Sequence, residues 1–269
     1  MQPAIGLVVA LNAEAIALIG RGPWRQGDVC LFRRSHLTRD TPLLIARSGI
    51  GMRQAGSAAE WLVREGVFAL GVSGISGGLS PDLGPGDLIV ADAVLKEGNG
   101  YNLVWKGDRR LADLTSSALR AKGLSPYCGA IMTVHEPVFS VRKKEALYNE
   151  SRALAVDMES AAVAAVARNA GLPFFAIRSV CDPCTVSVPE ALSECLDPRG
   201  RVRPFHLLRR LMLSPRLLLD LGPMKGYFSM ALNGLRQAWC NQVKEGLAAW
   251  LLTSRNAHIQ SLDRTAPVR

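Results

Sequence analysis

Short apolar runs bounded by glycine, proline or polar residues alternate with amphipathic stretches along most of this chain, and that alternation leaves few folds open. The runs AIGLVVA, PLLIARS, FALGVSG, DLIVADAVL, YCGAIMTV and PFFAIRSV have the length and residue types of strands. Between several of them lie helical stretches, over residues 52–65, 111–122, 143–150 and 158–169. PFFAIRSV is apolar nearly throughout, as strands are where helices cover both faces of a sheet. The pattern predicts an α/β fold, a mixed central sheet flanked by helices, with no internal repeat.

With 269 residues, 48% of them hydrophobic and 20% charged, the chain can bury a substantial core and does not read as disordered. Residues 4–19 are apolar enough to resemble a signal peptide, but no Lys or Arg precedes them and Asn12 and Glu14 interrupt them, so they read as a core strand followed by a helix. No run approaches the roughly 20 apolar residues that span a bilayer. Cysteines at 30, 128, 181, 184, 195 and 240 follow no disulfide framework, which points to a reducing, cytoplasmic compartment.

The net charge of +9 is unevenly spread. Between residues 201 and 255 nine basic residues face two acidic ones, whereas the preceding residues are nearly neutral. The pattern changes at the same place, to Leu-rich stretches punctuated by Arg such as HLLRRLMLSPRLLLDLG. Two regions follow, a catalytic domain over 1–198 and a basic helical extension over 199–269. Pro204, Pro215 and Pro223 divide the extension, predicting two or three short helices over one long one. Little aromatic interleaving accompanies its charge, so nucleic acid is not the expected partner.

Ligands of open α/β sheets bind outside the carboxyl ends of strands, which directs attention to three segments read as loops. The first, GISGGL over 74–79, is either a tight turn or a place where backbone approaches a ligand closely. The nearby Gly49, Gly51 and Gly56 give G-x-G-x-x-x-x-G, the wrong spacing for a dinucleotide fingerprint. In the second, VDMES, Asp157 and Glu159 stand near the start of a helix, where they serve either the helix dipole or a site. The third, RSVCDPC, places Arg178 and Asp182 at the carboxyl side of a strand. Cys181 and Cys184 within it spell C-x-x-C, a redox pair or half a zinc site, yet no second such pair and no nearby His completes it. His36, His135, His206 and His258 show no metal spacing either, so neither metal nor cofactor is expected.

Together IGLVVALNAEA, RSGIG, GISGGLSPDLGPGDLIVADAV and VDMESAAVAAVARNAGLPFFAIRSVCD resemble, in order, the nucleoside phosphorylase and nucleosidase superfamily, particularly its methylthioadenosine/S-adenosylhomocysteine nucleosidase branch. The resemblance covers roughly residues 4 to 183 and implies a purine nucleosidase. It implies that Asp182 is the general acid toward N7 of the departing base, that Glu14 activates the attacking water and that Arg178 orients a carboxylate. Glu159 would grip the ribose hydroxyls with Met158 packed on the sugar, Asp157, Ser76 and Gly77 would complete the substrate site, and Phe139 would stack on the base.

Both water and phosphate serve as nucleophiles in this superfamily. Its phosphorylases carry an arginine upstream of the central glycine motif where this chain has Val72, which favours water, although Ile75 stands where the nucleosidase branch has serine. The tail LDPRGRVRPFHLLRRLMLSPRLLLDLG is similar to that of hopanoid-associated phosphorylases, which implies adenosylhopane as substrate and a peripheral contact with an anionic membrane surface. The alternatives are a nucleosidase for small thioether nucleosides, phosphorolysis of the same lipid nucleoside, or a nucleoside-binding module without catalysis. Family members commonly assemble as homo-oligomers, and the same is expected here.

Overall fold

In the computed structural model, which describes residues 4–107, 109–121, 123–188, 217–239, 244–250 and 253, the strands and helices expected from the sequence occur in order among several further elements. They are β1 (Ile5–Val9), α1 (Asn12–Ile19), β2 (Arg25–Gln26), β3 (Leu31–Thr38), β4 (Thr41–Arg47), α2 (Met52–Arg64), β5 (Ala69–Gly78), β6 (Leu88–Gly98), β7 (Gly100–Lys106), α3 (Arg109–Arg120), β8 (Tyr127–Thr133), α4 (Val141–Ser151), β9 (Ala155–Asp157), α5 (Ser160–Asn169), β10 (Phe174–Asp182) and α6 (Leu217–Ala238). All six strands read from apolar runs are present. β2, β3, β7 and β9 are additional: the first three lie at sheet margins and carry charged or exposed residues, and β9 is three residues long.

The strands form one mixed sheet in the order β10-β6-β8-β9-β5-β1-β4-β3-β2, with β7 on β6 and a further pairing of β10 with β5. β4, β1, β5 and β10 run parallel, so their carboxyl ends open at one edge. The first residues of β5 pair with β1, its last two with β9, and β10 lies along its other side. The circuit β5-β9-β8-β6-β10 therefore closes on itself, and β5 is its hinge to the open part of the sheet.

Helices cover both faces, which is why β1, most of β5 and β10 are buried along their lengths. One layer holds α2 and α5, whose Ala55, Ala58, Ala59, Ala161 and Ala164 are small enough to bring the helix backbones near the sheet. The other holds α1 and α6, with Leu235, Ala238 and Trp239 packed beside Phe175 and Ile177 of β10. Trp239 donates its ring N–H to Ser73 Oγ at 3.1 Å, and a Cβ on Gly234 would lie 2.4 Å from the Gly86 carbonyl oxygen. The described part of the basic extension is thus a layer of the core.

Two expectations need correction. The central glycine motif is not a loop but the second half of β5, and none of Gly74, Gly77 and Gly78 has a positive φ. Pro223 does not end a helix, because it lies inside α6, which is 22 residues long and runs on to Ala238. Pro223 itself is exposed, and it leaves one carbonyl of the preceding turn without its helical partner. The expected boundary near residue 199, Pro204 and Pro215 lie outside the described residues.

Candidate active site

At the carboxyl end of β1 the chain turns directly into α1, and Glu14, in the first helical turn, reaches back over that turn. Its Oε2 accepts hydrogen bonds from the amides of Ala10 at 2.9 Å and Leu11 at 2.8 Å, while Oε1 accepts one from Ile75 N at 2.9 Å. Glu14 therefore bridges β1 and β5. Burial pushes its carboxyl above the usual range, against the pull of the Arg178 guanidinium and of the three amides. The close approach needs a glycine beneath it, since a Cβ on Gly74 would stand 2.4 Å from Glu14 Oε1 and 2.7 Å from Arg178 Nη1.

Arg178, on β10, is fully buried, which is tolerable for a permanent cation only if acids surround it. Its Nη2 donates to Asp157 Oδ2, to Ser160 Oγ at 3.1 Å and to Glu159 Oε2 at 3.4 Å. Asp157 also accepts from Thr133 Oγ1 at 2.7 Å and from the Ser160 amide and hydroxyl. Both its oxygens are thus occupied within the protein, and it fixes Arg178 and the start of α5.

Glu159 occupies the N-cap position of α5 but makes no capping bond with its side chain. It crosses instead to the glycine turn after β4, accepting from Gly51 N at 2.9 Å. Gly51 has φ of +105°, and Gly49 +89°, which glycine adopts without strain, so this turn is what aims an amide at the carboxylate. Asp157 and Glu159 thus share one guanidinium through ion pairs, and the Glu14 carboxylate feels the same positive charge without bonding to it. Burial first, with the Asp157 and Glu14 charges added and Arg178 opposing, pushes Glu159 up to about 7. A carboxylate cluster that holds on to protons because one guanidinium does not neutralise it suits a ligand that becomes positive.

Asp182 forms a separate pole at the end of β10. A bulge at Cys181 carries it from the run of pairs ending Val180 with Ser76 into register with Gly77, where the missing side chain leaves room for the carboxylate. Its Oδ2 accepts from Lys144 Nζ at 2.6 Å. Burial raises its pKa and Lys144 opposes the shift. Because of the bulge, Arg178 and Asp182 face Gly74 and Gly77, three residues apart on the paired strand, about 10 Å at strand rise. No hydrogen bond or ion pair joins the two poles among the described residues.

The sequence-predicted residues therefore divide. Glu14, Asp157, Glu159 and Arg178 meet in one cluster, and Asp182 with Gly77 lies beyond it on the same strand pair. Ser76 is buried, with an Oγ that has no protein partner. Met158 is half-buried against Met132, Val134 and their neighbours. Phe139 is half-buried, its carbonyl accepting from Val188 N at 2.8 Å, which ties it to the segment following Asp182. Cys181 and Cys184 are free thiols, and burial, with the Asp182 charge, pushes Cys181 up to about 12, so it is no reactive thiolate. Sequence reasoning missed Lys144, Ser160 and Thr133. In VRKKEALY nothing separates Lys144 from the exposed Lys143 except helical phase, which is a weak signal so near a helix start.

Buried carboxylates around a buried arginine, with a further acid at the open edge of the parallel part of the sheet, are an arrangement of the kind that acid–base chemistry uses. The phosphorylase superfamily profile matches residues 4–196, and the chain belongs to that family. A 5'-methylthioadenosine/S-adenosylhomocysteine nucleosidase of Oceanobacillus iheyensis is 27% identical over 73% of this chain and 93% of that relative. One of Mycobacterium bovis is 25% identical over 68% and 86% respectively. Among solved structures, the Helicobacter pylori methylthioadenosine nucleosidase mutant with 5'-methylthioadenosine in its active site matches with TM-score 0.68 and 19% identity, covering 91% of this chain and all of that one. The same organism's futalosine hydrolase mutant matches with TM-score 0.59 and 22% identity over 66% of this chain and 89% of its own.

Proposed function

We propose that this protein is a purine nucleosidase that hydrolyses the N-glycosidic bond of an adenine nucleoside with an apolar 5′ substituent. The observation that carries the reading is the pairing of two poles on one strand: the cluster of Glu14, Asp157 and Glu159 around Arg178, and Asp182 beyond it. A nucleoside laid along the carboxyl end of β10 meets them with its sugar and its base respectively. As the bond between C1′ and N9 lengthens, the sugar becomes an oxocarbenium ion and the purine gains negative charge. The carboxylate cluster compensates the first, and a proton from Asp182 to N7 compensates the second.

Within that scheme Glu159 binds the ribose hydroxyls, and Glu14, with one hydrogen bond on Oε1 and lone-pair capacity remaining, takes a proton from water as its oxygen attacks C1′. Asp157 acts through Arg178 and Ser160, a positioning role in place of direct substrate contact. The unpartnered Ser76 hydroxyl, Met158 and Phe139 complete the substrate site. Water is the favoured nucleophile. Val72, where the phosphorylase arginine would stand, is a buried core residue on β5 between Val8 and Ala176, leaving phosphate without that counter-charge.

Two 5′ substituents are proposed. The relatives named above favour a small thioether, as in methylthioadenosine. The Leu- and Arg-rich tail favours adenosylhopane and a peripheral contact with an anionic membrane, although most of that stretch lies outside the described residues. No helix among the described residues is long and apolar enough to cross a membrane. Adenine release is to be measured by chromatography from methylthioadenosine in buffer and from adenosylhopane in detergent, each with and without phosphate. Phosphate-independent release from either is expected. A phosphate requirement would replace hydrolysis by phosphorolysis, and no release from either would leave a binding module.

A further inference from the structure

Lys144 is the one fully buried lysine among the described residues, and its place in the first turn of α4 is fixed by Ser140, which caps the helix by accepting from Lys143 N at 3.3 Å. Its ammonium donates to Asp182 Oδ2 at 2.6 Å, to the Pro183 carbonyl at 2.9 Å and to the Val186 carbonyl at 2.9 Å. Every proton on the nitrogen is thus spoken for, and one lysine both occupies an oxygen of Asp182 and holds the segment that follows it. The Asp182 side chain keeps 14% exposure, so Oδ1 is the oxygen left to meet a base. An ammonium removed from water needs such partners.

We infer that Lys144 is a positioning residue for the acid step, holding Asp182 by Oδ2 with Oδ1 toward the purine and compensating the carboxylate that forms when the proton leaves. The inference rests on the reading of Asp182 as general acid. In the step, Oδ1 gives its proton to N7 while the electron pair of the C1′–N9 bond passes to the purine. The water oxygen bonds to C1′, and its proton passes to Glu14. Asp182 is left anionic, facing an ammonium that has not moved. Other groups near Asp182 do not share this work. The neighbouring Cys181, pushed up to about 12, is neutral, and Arg178 is engaged by Asp157 and Glu159. Lys143 and Glu145 on α4 are exposed.

Lys144 lowers the proton affinity of Asp182, so it makes the acid stronger while reducing the pH range over which it stays loaded. Lys144→Met should therefore act in two opposed ways. The basic limb of the pH profile for methylthioadenosine cleavage, where Asp182 loses its proton, should move to higher pH by about one unit or more. The ratio of the methylthioadenosine rate to the rate with 4-nitrophenyl β-D-riboside, whose leaving group needs no proton, should fall by about ten- to a hundredfold, part of the 10²- to 10⁴-fold that acid catalysis contributes. Lys144→Arg, which keeps the charge, should leave the limb where it is.

Asp182→Asn and the double variant Asp182→Asn with Lys144→Met separate this inference from the reading beneath it. Once Asp182 cannot protonate the base, removing Lys144 should change the ratio no further. If Asp182→Asn cleaves methylthioadenosine at the native rate, the general acid itself is misassigned. If that variant is impaired while Lys144→Met leaves limb and ratio unmoved, or lowers both substrates equally, the role of Lys144 is overturned alone. Should Lys144→Met not fold, the limb in Lys144→Arg and the double variant's ratio decide: a displaced limb, or a ratio below that of Asp182→Asn, overturns it.

Discussion

Gly74 lies where Glu14 and Arg178 converge, and its contribution is the absence of a side chain. A methyl group there would stand 2.4 Å from Glu14 Oε1 and 2.7 Å from Arg178 Nη1, nearer than real contacts allow. Because Gly74 has no positive φ, alanine suits the backbone, and the strain falls on the two side chains. Gly74→Ala should accordingly keep its far-ultraviolet circular dichroism while kcat drops by about 10²-fold, the cost of a displacement near 1 Å in a catalytic group. Native kcat would mean that Glu14 and Arg178 are not held where the chemistry requires. Glu159 illustrates the same scale differently. An acid at a helix start ordinarily serves the helix, yet this one spends its hydrogen bonds on Gly51 and Arg178.

At the scale of elements, β10 does most to build the site. Its pairing with β5 sets Arg178 opposite Gly74, and its bulge delivers Asp182 to Gly77. α6 backs that strand from the other face, with Leu235, Ala238 and Trp239 buried and Gly234 pressed against Gly86. Pro223, itself exposed, is the weak point of α6, costing it a backbone hydrogen bond. Pro223→Ala should raise the stability of the whole chain by about 1 to 3 kcal/mol, the difference between the two residues inside a helix. Thermal unfolding measures it. An unchanged or lower Tm would indicate that α6 does not run continuously through residue 223.

For the whole molecule, the site is a store of unfavourable electrostatics. Glu159, at 4.5 when unfolded and pushed up to about 7 in the fold, retains a proton that the unfolded chain has lost between those values. Burial raises Glu14 and Asp182 in the same direction. The native state then binds more protons than the unfolded one, so stability falls as pH rises from about 4.5 to about 7 and levels off above, as far as Glu159 is concerned. Tm measured across that interval should show the decline, and Glu159→Gln should flatten it. A variant with the native slope would place the excess protons elsewhere. The reserve is consistent with a site that is satisfied only when positive charge develops in it.

The sequence by itself determined the class of fold, and its resemblance to a known superfamily made Glu14, Glu159, Arg178 and Asp182 candidates for the chemistry. Period and apolar length along β1, β4, β5, β6, β8 and β10 are local properties, and so are the motifs that carry Glu14, Glu159, Arg178 and Asp182. β2, β3, β7 and β9 were not legible, because short or exposed margin strands have no apolar run and are defined by the neighbours that pair with them. The glycine motif looked like a turn because glycine marks both turns and close packing. Only the crossing of Glu14 and Arg178 above Gly74 distinguishes the two. Which carboxylates share Arg178, that Asp157 is spent on holding it, and that Lys144 rather than Lys143 reaches Asp182 were decided by the tertiary structure. Each depends on a distance between segments tens of residues apart, and such distances are set by the packing of the sheet, not by the order of residues along any one strand.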